Sequence, residues 1–224
     1  QFIKGKESDT LVYVFNTSGK EQDEQALLDY RKGAMPGSSP YNSLGVMHKW
    51  ADIFSQSGRN WGHILDKAAR LQARMKDLVS EVVPVSAPLA LFATLAPDSF
   101  FERCATVLAA FADDNFLTRM LKMESKWKQE PERATLREQA KKRYDMPWPS
   151  FRIMLRHLKR GNMGGAEAMR RAVYSLSGMD RLRRCLDANF INRSAVISQR
   201  VTRERAKNVL RDIQFKIEER IKEM

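Results

Sequence analysis

The sequence is short of the side chains that hold metals and staple small domains. It has 2 cysteines and 3 histidines in 224 residues. Cys104 and Cys185 lie far apart, with no second cysteine or histidine at a ligand spacing, which argues against a zinc site and against a disulfide framework. His63 and His157 are isolated as well. The simplest reading is two free thiols buried as small core residues in a reducing cytosol. Glycine and proline are also few, 11 and 8, so the chain is not of the disordered or low-complexity class. Long hydrophobic runs are missing. The longest uncharged stretch, Val82 to Pro97, has 16 residues and contains Pro84, Ser86, Pro88 and Pro97, whereas a membrane span needs about 20 unbroken residues. Lys4, Lys6, Glu7 and Asp9 interrupt any apolar leader, and a soluble chain is the expectation. A phosphate loop is missing too. Gly5-Lys6-Glu7-Ser8 is the nearest approach, but its first glycine would fall before Gln1, Glu7 follows the lysine, and no strand precedes it. No Ser/His/Asp set stands out.

What is present is enough apolar residue, 43% of the chain, for a substantial core, in one large or two small domains. Charge is unevenly spread. Residues 1–90 carry 11 Lys+Arg against 10 Asp+Glu, a net of +1, and residues 91–224 carry 28 against 17, a net of +11. That asymmetry divides the chain into a neutral part and a basic part. The basic part suits an anionic partner: membrane headgroups, nucleic acid or an acidic protein surface. A solvated face with surplus arginine is the plainer alternative.

The neutral part alternates strand and helix signals. Thr10 to Phe15 is a β-branched and aromatic run. After the turn Asn16-Thr17-Ser18-Gly19, Glu21 to Lys32 reads as a helix with acids first and bases last. Leu44 to Met47 is a short apolar run that reads as a buried strand and stops at His48-Lys49. Trp61 to Val79 reads as a helix on the spacing of Ile64, Leu65, Ala68, Leu71, Met75 and Leu78. Val82 to Val85 is a third strand, ending in Ser86-Ala87. This order predicts two βαβ units and a parallel sheet with right-handed crossovers.

From Pro88 onward only helices are expected. One spans Ala90 to Ala96, and one capped by Asp98 or Ser99 runs to about Ala112. Another, capped by Asp113-Asp114-Asn115, runs through Leu121 to Trp127. Pro131 opens a helix to Tyr144, and Ser150 caps one over Phe151 to Arg160. The next covers Ala166 to Leu176. Ser177-Gly178 interrupts before a helix with Met179, Leu182, Leu186 and Phe190 inside. The last helix carries Val209, Ile213, Ile217 and Ile221 four apart, a narrow seam on a charged rod suited to a bundle.

Two stretches carry a family resemblance. His48-Lys49-Trp50-Ala51-Asp52 at a strand end resembles the Asn/Thr-Lys-x-Asp base-reading motif of guanine-nucleotide-binding proteins. His48 stands for Asn, Lys49 matches, Ala51 sits where Asp belongs, and Asp52 comes one residue late. Ser86-Ala87 matches the Ser-Ala that such proteins carry after the next strand. Leu176-Ser177-Gly178-Met179, with Leu182, Leu186, Phe190 and Arg193, resembles a stretch near the end of bacterial dynamin-like GTPases, where it leads into a last long helix.

The resemblance implies an α/β half-domain of the P-loop-GTPase kind over residues 1–95, followed by an all-α helical bundle over residues 96–224. It implies GTP or GDP as ligand, held on the base side by His48, Lys49, Asp52, Ser86 and Ala87. The Lys49 stem lies along the purine, and the Ala87 N–H meets the guanine carbonyl. Ala51 cannot supply the carboxylate that pairs with guanine N–H groups, which weakens selectivity for the base. Hydrolysis needs a phosphate loop, a Mg²⁺ ligand and a water-positioning element. In GTPases these precede the strand with which this chain opens. The chain therefore reads as the later part of a longer protein, as one half completed by an amino-terminal GTPase half, or as a degraded GTPase. Mg²⁺ is expected only with that missing half, and the chain alone should not hydrolyse GTP. In the family, the bundle serves self-assembly and membrane contact, so self-association, an anionic membrane surface and a cytoplasmic, peripheral location follow as expectations. The rival class is a non-enzymatic basic helical protein that binds nucleic acid through arginines between Arg181 and Arg205, or scaffolds a partner.

Overall fold

The computed structural model describes residues 10–16, 24–29, 42–51 and 61–222. Strand β1 (Leu11–Asn16) is followed by helical residues 24–29, α1, and by β2 (Ser43–His48). Helix α2 (Trp61–Arg74) leads to β3 (Val82–Pro84). The three strands form one parallel sheet in the order β1-β2-β3, as the alternation of strand and helix signals requires. Leu11 pairs with Ser43 and Asn16 with His48, while Gly45 pairs with Val82 and Met47 with Pro84. Pairing runs one residue past β3, because the Val85 N–H donates to the Met47 carbonyl at 2.9 Å. Gly45 lies in the centre of this sheet for want of room: an added Cβ there would sit 3.0 Å from Phe15 and 3.2 Å from Val82.

The two faces of the sheet bury different partners. Phe15, Met47 and Val82 join Leu27 of α1 and Ile64, Ala68 and Leu71 of α2 in one core. Leu44, Val46, Val83 and Val85 point the other way. Period-two alternation of this kind is how a strand buried on both faces distributes its side chains.

The remaining chain is helical: α3 (Ala87–Leu95), α4 (Asp98–Ala109), α5 (Asp114–Met120), α6 (Glu124–Trp127), α7 (Pro131–Tyr144), α8 (Trp148–Gly161), α9 (Ala166–Leu176), α10 (Met179–Leu186), a π-helical turn (Asp187–Ile191) and α11 (Ser194–Lys222). Helix α3 is apolar nearly all round, with Leu89, Ala90, Phe92 and Ala93 buried, which is the pattern of a central helix. It packs against α7, α8 and α9. Phe92 meets Phe100, Phe101 and Tyr144 edge-on, with centroids 4.9, 5.4 and 5.1 Å away. The α/β core continues without a break into these helices as far as Leu176.

Helix α10 then returns to the sheet. Met179, Leu182 and Leu186, with Phe190 beyond them, cover the face made by Leu44, Val46, Val83 and Val85, and Cys185 is buried there. Arg181 holds Glu81 at 2.7 Å beside β3. The expected division at residue 95 thus has sheet-packing residues on both sides of it. On the same face β1 stays bare: Val12 is 43% and Val14 57% exposed.

Several boundaries differ from the sequence expectation. Helix α2 stops at Arg74 rather than Val79, because Met75 to Leu78 form a turn in which the Leu78 and Val79 N–H groups both bond to the Met75 carbonyl. Helix α3 begins at Ala87, three residues early, since Pro88 suits a first turn. Asp113 does cap α5, accepting from the Phe116 N–H at 2.6 Å, but that helix ends at Met120 and Trp127 belongs to the separate α6. Helix α8 is capped at Pro147 and not at Ser150, with Pro149 in its first turn. On helix α11 Val209, Leu210, Ile213 and Ile217 are exposed, and Ile197 is its one buried residue among those whose side chains are described.

Candidate functional site

In a parallel sheet all strands end on the same side, and the turns that leave that side are where ligands are met. Here those ends are Asn16, His48 and Val85, adjacent by register. The residues singled out in the sequence follow directly. His48 closes β2 and is partly buried, and the exposed Lys49 comes next. Ser86 follows β3 and is 4% exposed, and Ala87 is exposed as the first residue of α3. The sheet thus brings His48, Lys49, Ser86 and Ala87 to one edge. Asp52 lies outside the described residues.

Lys49 has φ +57°. Positive φ costs a residue with a Cβ about 1–2 kcal/mol. The other two non-glycine residues that adopt it, Asp145 and Asn162, are left-handed caps where helices α7 and α8 end. Lys49 has no such duty. It turns the chain off the sheet edge into the buried helical pair Trp50-Ala51, 0% and 5% exposed. The anchor below is rigid and the lysine above it is held out in water. Backbone strain of this kind is found most often at functional sites.

Ala51 is buried, 5% exposed, in the same core as Met47, Trp50 and Ile64. A carboxylate there would be drawn out of water among Met47, Ile64 and Trp50, at a cost of several kcal/mol without a partner.

Ala87 opens α3, so its N–H belongs to the first turn, whose donors have no partner within the helix. Pro88 has no N–H, which leaves Ala87 and Leu89 as the donors nearest the edge. The positive end of the helix dipole points the same way. Ser86 caps through its backbone: its side chain makes no capping bond, while its N–H donates to the Ser177 carbonyl at 2.8 Å.

That last contact was not legible in the sequence. Ser177-Gly178 joins α9 to α10 and sits directly on the end of β3. Gly178 has φ +81°, and a Cβ there would fall 2.1 Å from the Pro84 carbonyl oxygen. A Ser-Gly pair between two apolar helices signals a left-handed turn, but not what the turn rests on. The helical part therefore touches the same strand end that carries Ser86-Ala87.

Among the described residues, no three His, Cys, Asp or Glu side chains gather as metal ligands do, and no helix is long and apolar enough to cross a membrane. Neither family models, curated proteins nor solved structures give a match to the chain.

Proposed function

We propose that this chain supplies the base-binding side of a nucleotide site in a dynamin-like GTP-binding architecture, with Lys49 along the purine face and the Ala87 N–H toward its carbonyl. The observation that carries this is the meeting of Lys49, in its left-handed conformation, and the start of α3 at one carboxyl edge of a parallel sheet. His48 and Ser86 support the two contact residues from the strand ends, and Asp52 is assigned the base N–H groups that Ala51 cannot reach. Selectivity for guanine is correspondingly weak.

Phosphate and Mg²⁺ contacts belong to an amino-terminal GTPase half. Among the described residues β1 pairs only with β2, and its Val12 and Val14 are exposed on one face, which supports further structure against β1. The chain acts at the cytoplasmic face of a membrane, and its helical part carries assembly. Helix α11, about 43 Å long at 1.5 Å per residue, presents Val209, Leu210, Ile213 and Ile217 as the seam for self-association.

The test is a titration of the full chain with a fluorescent GDP analogue in Mg²⁺ buffer. Weak saturable binding is expected, reduced by at least about fivefold, near 1 kcal/mol, in Lys49→Ala. ADP should compete within about tenfold of GDP, since the polar discrimination is lacking. Absence of saturable binding, or unchanged binding by Lys49→Ala, refutes the reading.

A further inference from the structure

The half-buried cations of the helical part mostly have structural work. Arg137, 3% exposed, donates to Glu124 at 2.9 Å and to the Met146 carbonyl at 2.8 Å. Arg170 closes the end of α3 by donating to the Ala93 and Ala96 carbonyls and reaches Asp98 at 2.6 Å. Lys159 does the same for the end of α4, at the Leu108 and Phe111 carbonyls. Arg133 lies over Phe111 and Trp127 and near Glu130. Arg181 holds Glu81.

Arg152 and Arg156 are the exception. Both are partly buried on α8, and both have Nε out of solvent with no hydrogen-bond partner. Neither makes an ion pair or a ring contact among the described residues. Asp114 is the carboxylate closest in effect to Arg156, but it is taken by Arg160 at 2.9 Å. Four residues apart, the two arginines are neighbours on one helical row, with about 6 Å between their Cβ atoms. Burial first, and then the next guanidinium along the row, weakens the hold of each on its proton. Two like charges drawn half out of water without a counter-ion oppose folding. Among the described residues no hydrogen bond or ion pair offsets that cost, and Asp114 acts on Arg156 only as a minor opposing charge.

We propose that Arg152 and Arg156 form a binding site for a phosphate group, the outer Nη ends of their two guanidinium groups closing on one phosphate. A guanidinium fork matches two oxygens, and one fork satisfies a carboxylate. Two forks on one row call for a group with three acceptor oxygens and close to two charges, which is a phosphomonoester. The site uses none of the residues of the nucleotide edge: α8 has its main contacts with α3, α4, α5 and α9. It narrows the general basic excess of the helical part to one pair of side chains.

The test uses the full chain in phosphate-free buffer. Inorganic phosphate is titrated by calorimetry, and vesicles of phosphatidylcholine with and without phosphatidic acid are tested by co-sedimentation. Wild type should bind phosphate and melt at higher temperature in its presence. The pair Arg152→Gln and Arg156→Gln should weaken binding at least about tenfold. The charge-matched pair Arg143→Gln and Arg171→Gln should change it by less than about twofold. The first pair also relieves repulsion and should melt no lower than wild type. If it does melt lower, Arg152→Lys with Arg156→Lys keeps charge and stems, and a several-fold loss there makes the same point. Recruitment to phosphatidic acid that free phosphate competes away assigns the site to a lipid headgroup, and phosphate binding without recruitment assigns it to a soluble phosphomonoester. No phosphate binding by wild type, equal loss in both Gln pairs, or binding to DNA alone overturns the proposal.

Discussion

Gly178→Ala tests how the helical part is seated on the sheet. Two costs coincide at this position. The backbone is left-handed at φ +81°, and the new Cβ would lie 2.1 Å from the Pro84 oxygen and 3.2 Å from its carbonyl carbon. A relaxed C···O contact is about 3.3 Å, so the turn must back away by roughly 1 Å. The left-handed conformation costs about 1 kcal/mol. Relieving the clash against backbone, which cannot swing aside as a side chain can, costs about 1–3 kcal/mol. The retreat also stretches the 2.8 Å bond from Ser86 N–H to Ser177, worth about 1 kcal/mol. The total is about 3–5 kcal/mol, and for a chain of this size the melting temperature should fall by roughly 6–20 °C.

Two other glycines separate the contributions. Gly165 has φ +85° and open space where a Cβ would be, and Gly164 has open space without that conformation. Gly165→Ala should cost about 1–2 kcal/mol and Gly164→Ala less than about 0.5 kcal/mol. Urea denaturation of the three variants gives the comparison. A Gly178→Ala protein no less stable than Gly165→Ala would refute the claim that this turn is pressed onto β3.

Three further outcomes are expected. Burial holds the His157 imidazole below its ordinary value, so the unfolded chain takes up the proton first as pH falls. The stability concerned is fully present above the unfolded value of about 6.5 and is lost as pH falls from there through the lower folded value. Melting temperatures at descending pH should show a shallower decline for His157→Gln than for wild type, and parallel curves would contradict this. The Cys185 thiol is pushed up to about 12 by burial, then by its 3.1 Å hydrogen bond to Glu81 and the charge of that carboxylate, against Arg181 and Arg184. Burial raises Cys104 as well. Neither thiol should react with iodoacetamide in the native protein at mildly alkaline pH, whereas both should after unfolding, and rapid native alkylation of Cys185 would count against its placement under α10. Leu210→Glu with Ile213→Glu on α11 should leave stability within about 0.5 kcal/mol, because both sites are exposed, while lowering self-association in sedimentation. A large loss of stability would mean that the seam is already covered within the chain.

Much of the α/β part could be read from the residues because its signals are local. Leu44 to Met47 and Val82 to Val85 are apolar runs too short for helices, and the charge-free stop before Lys49 marks a strand end. The order of elements then fixes parallel pairing, and parallel pairing puts Lys49 and Ala87 on one edge. The return of α10 to the sheet could not be read. Met179, Leu182 and Leu186 announce a buried stripe, but a stripe does not name its partner, and Leu44 and Val83 lie far back along the chain. The same ambiguity applies to α11, where Val209, Ile213 and Ile217 have the period of a seam and are exposed within this chain. The start of α8 is set by Pro147-Trp148-Pro149 and not by Ser150, because a fixed proline φ suits the first turn. The strain at Lys49 has no sequence signature at all, since lysine gives no hint of a positive φ.

The most direct test of the nucleotide edge is the backbone amide spectrum of the full chain titrated with GDP. Shifts concentrated at His48, Lys49, Ser86 and Ala87, and lost from Ser86 and Ala87 in Lys49→Ala, are the predicted result. An unperturbed edge under saturating GDP, or shifts confined to the helices beyond Leu95, would contradict it.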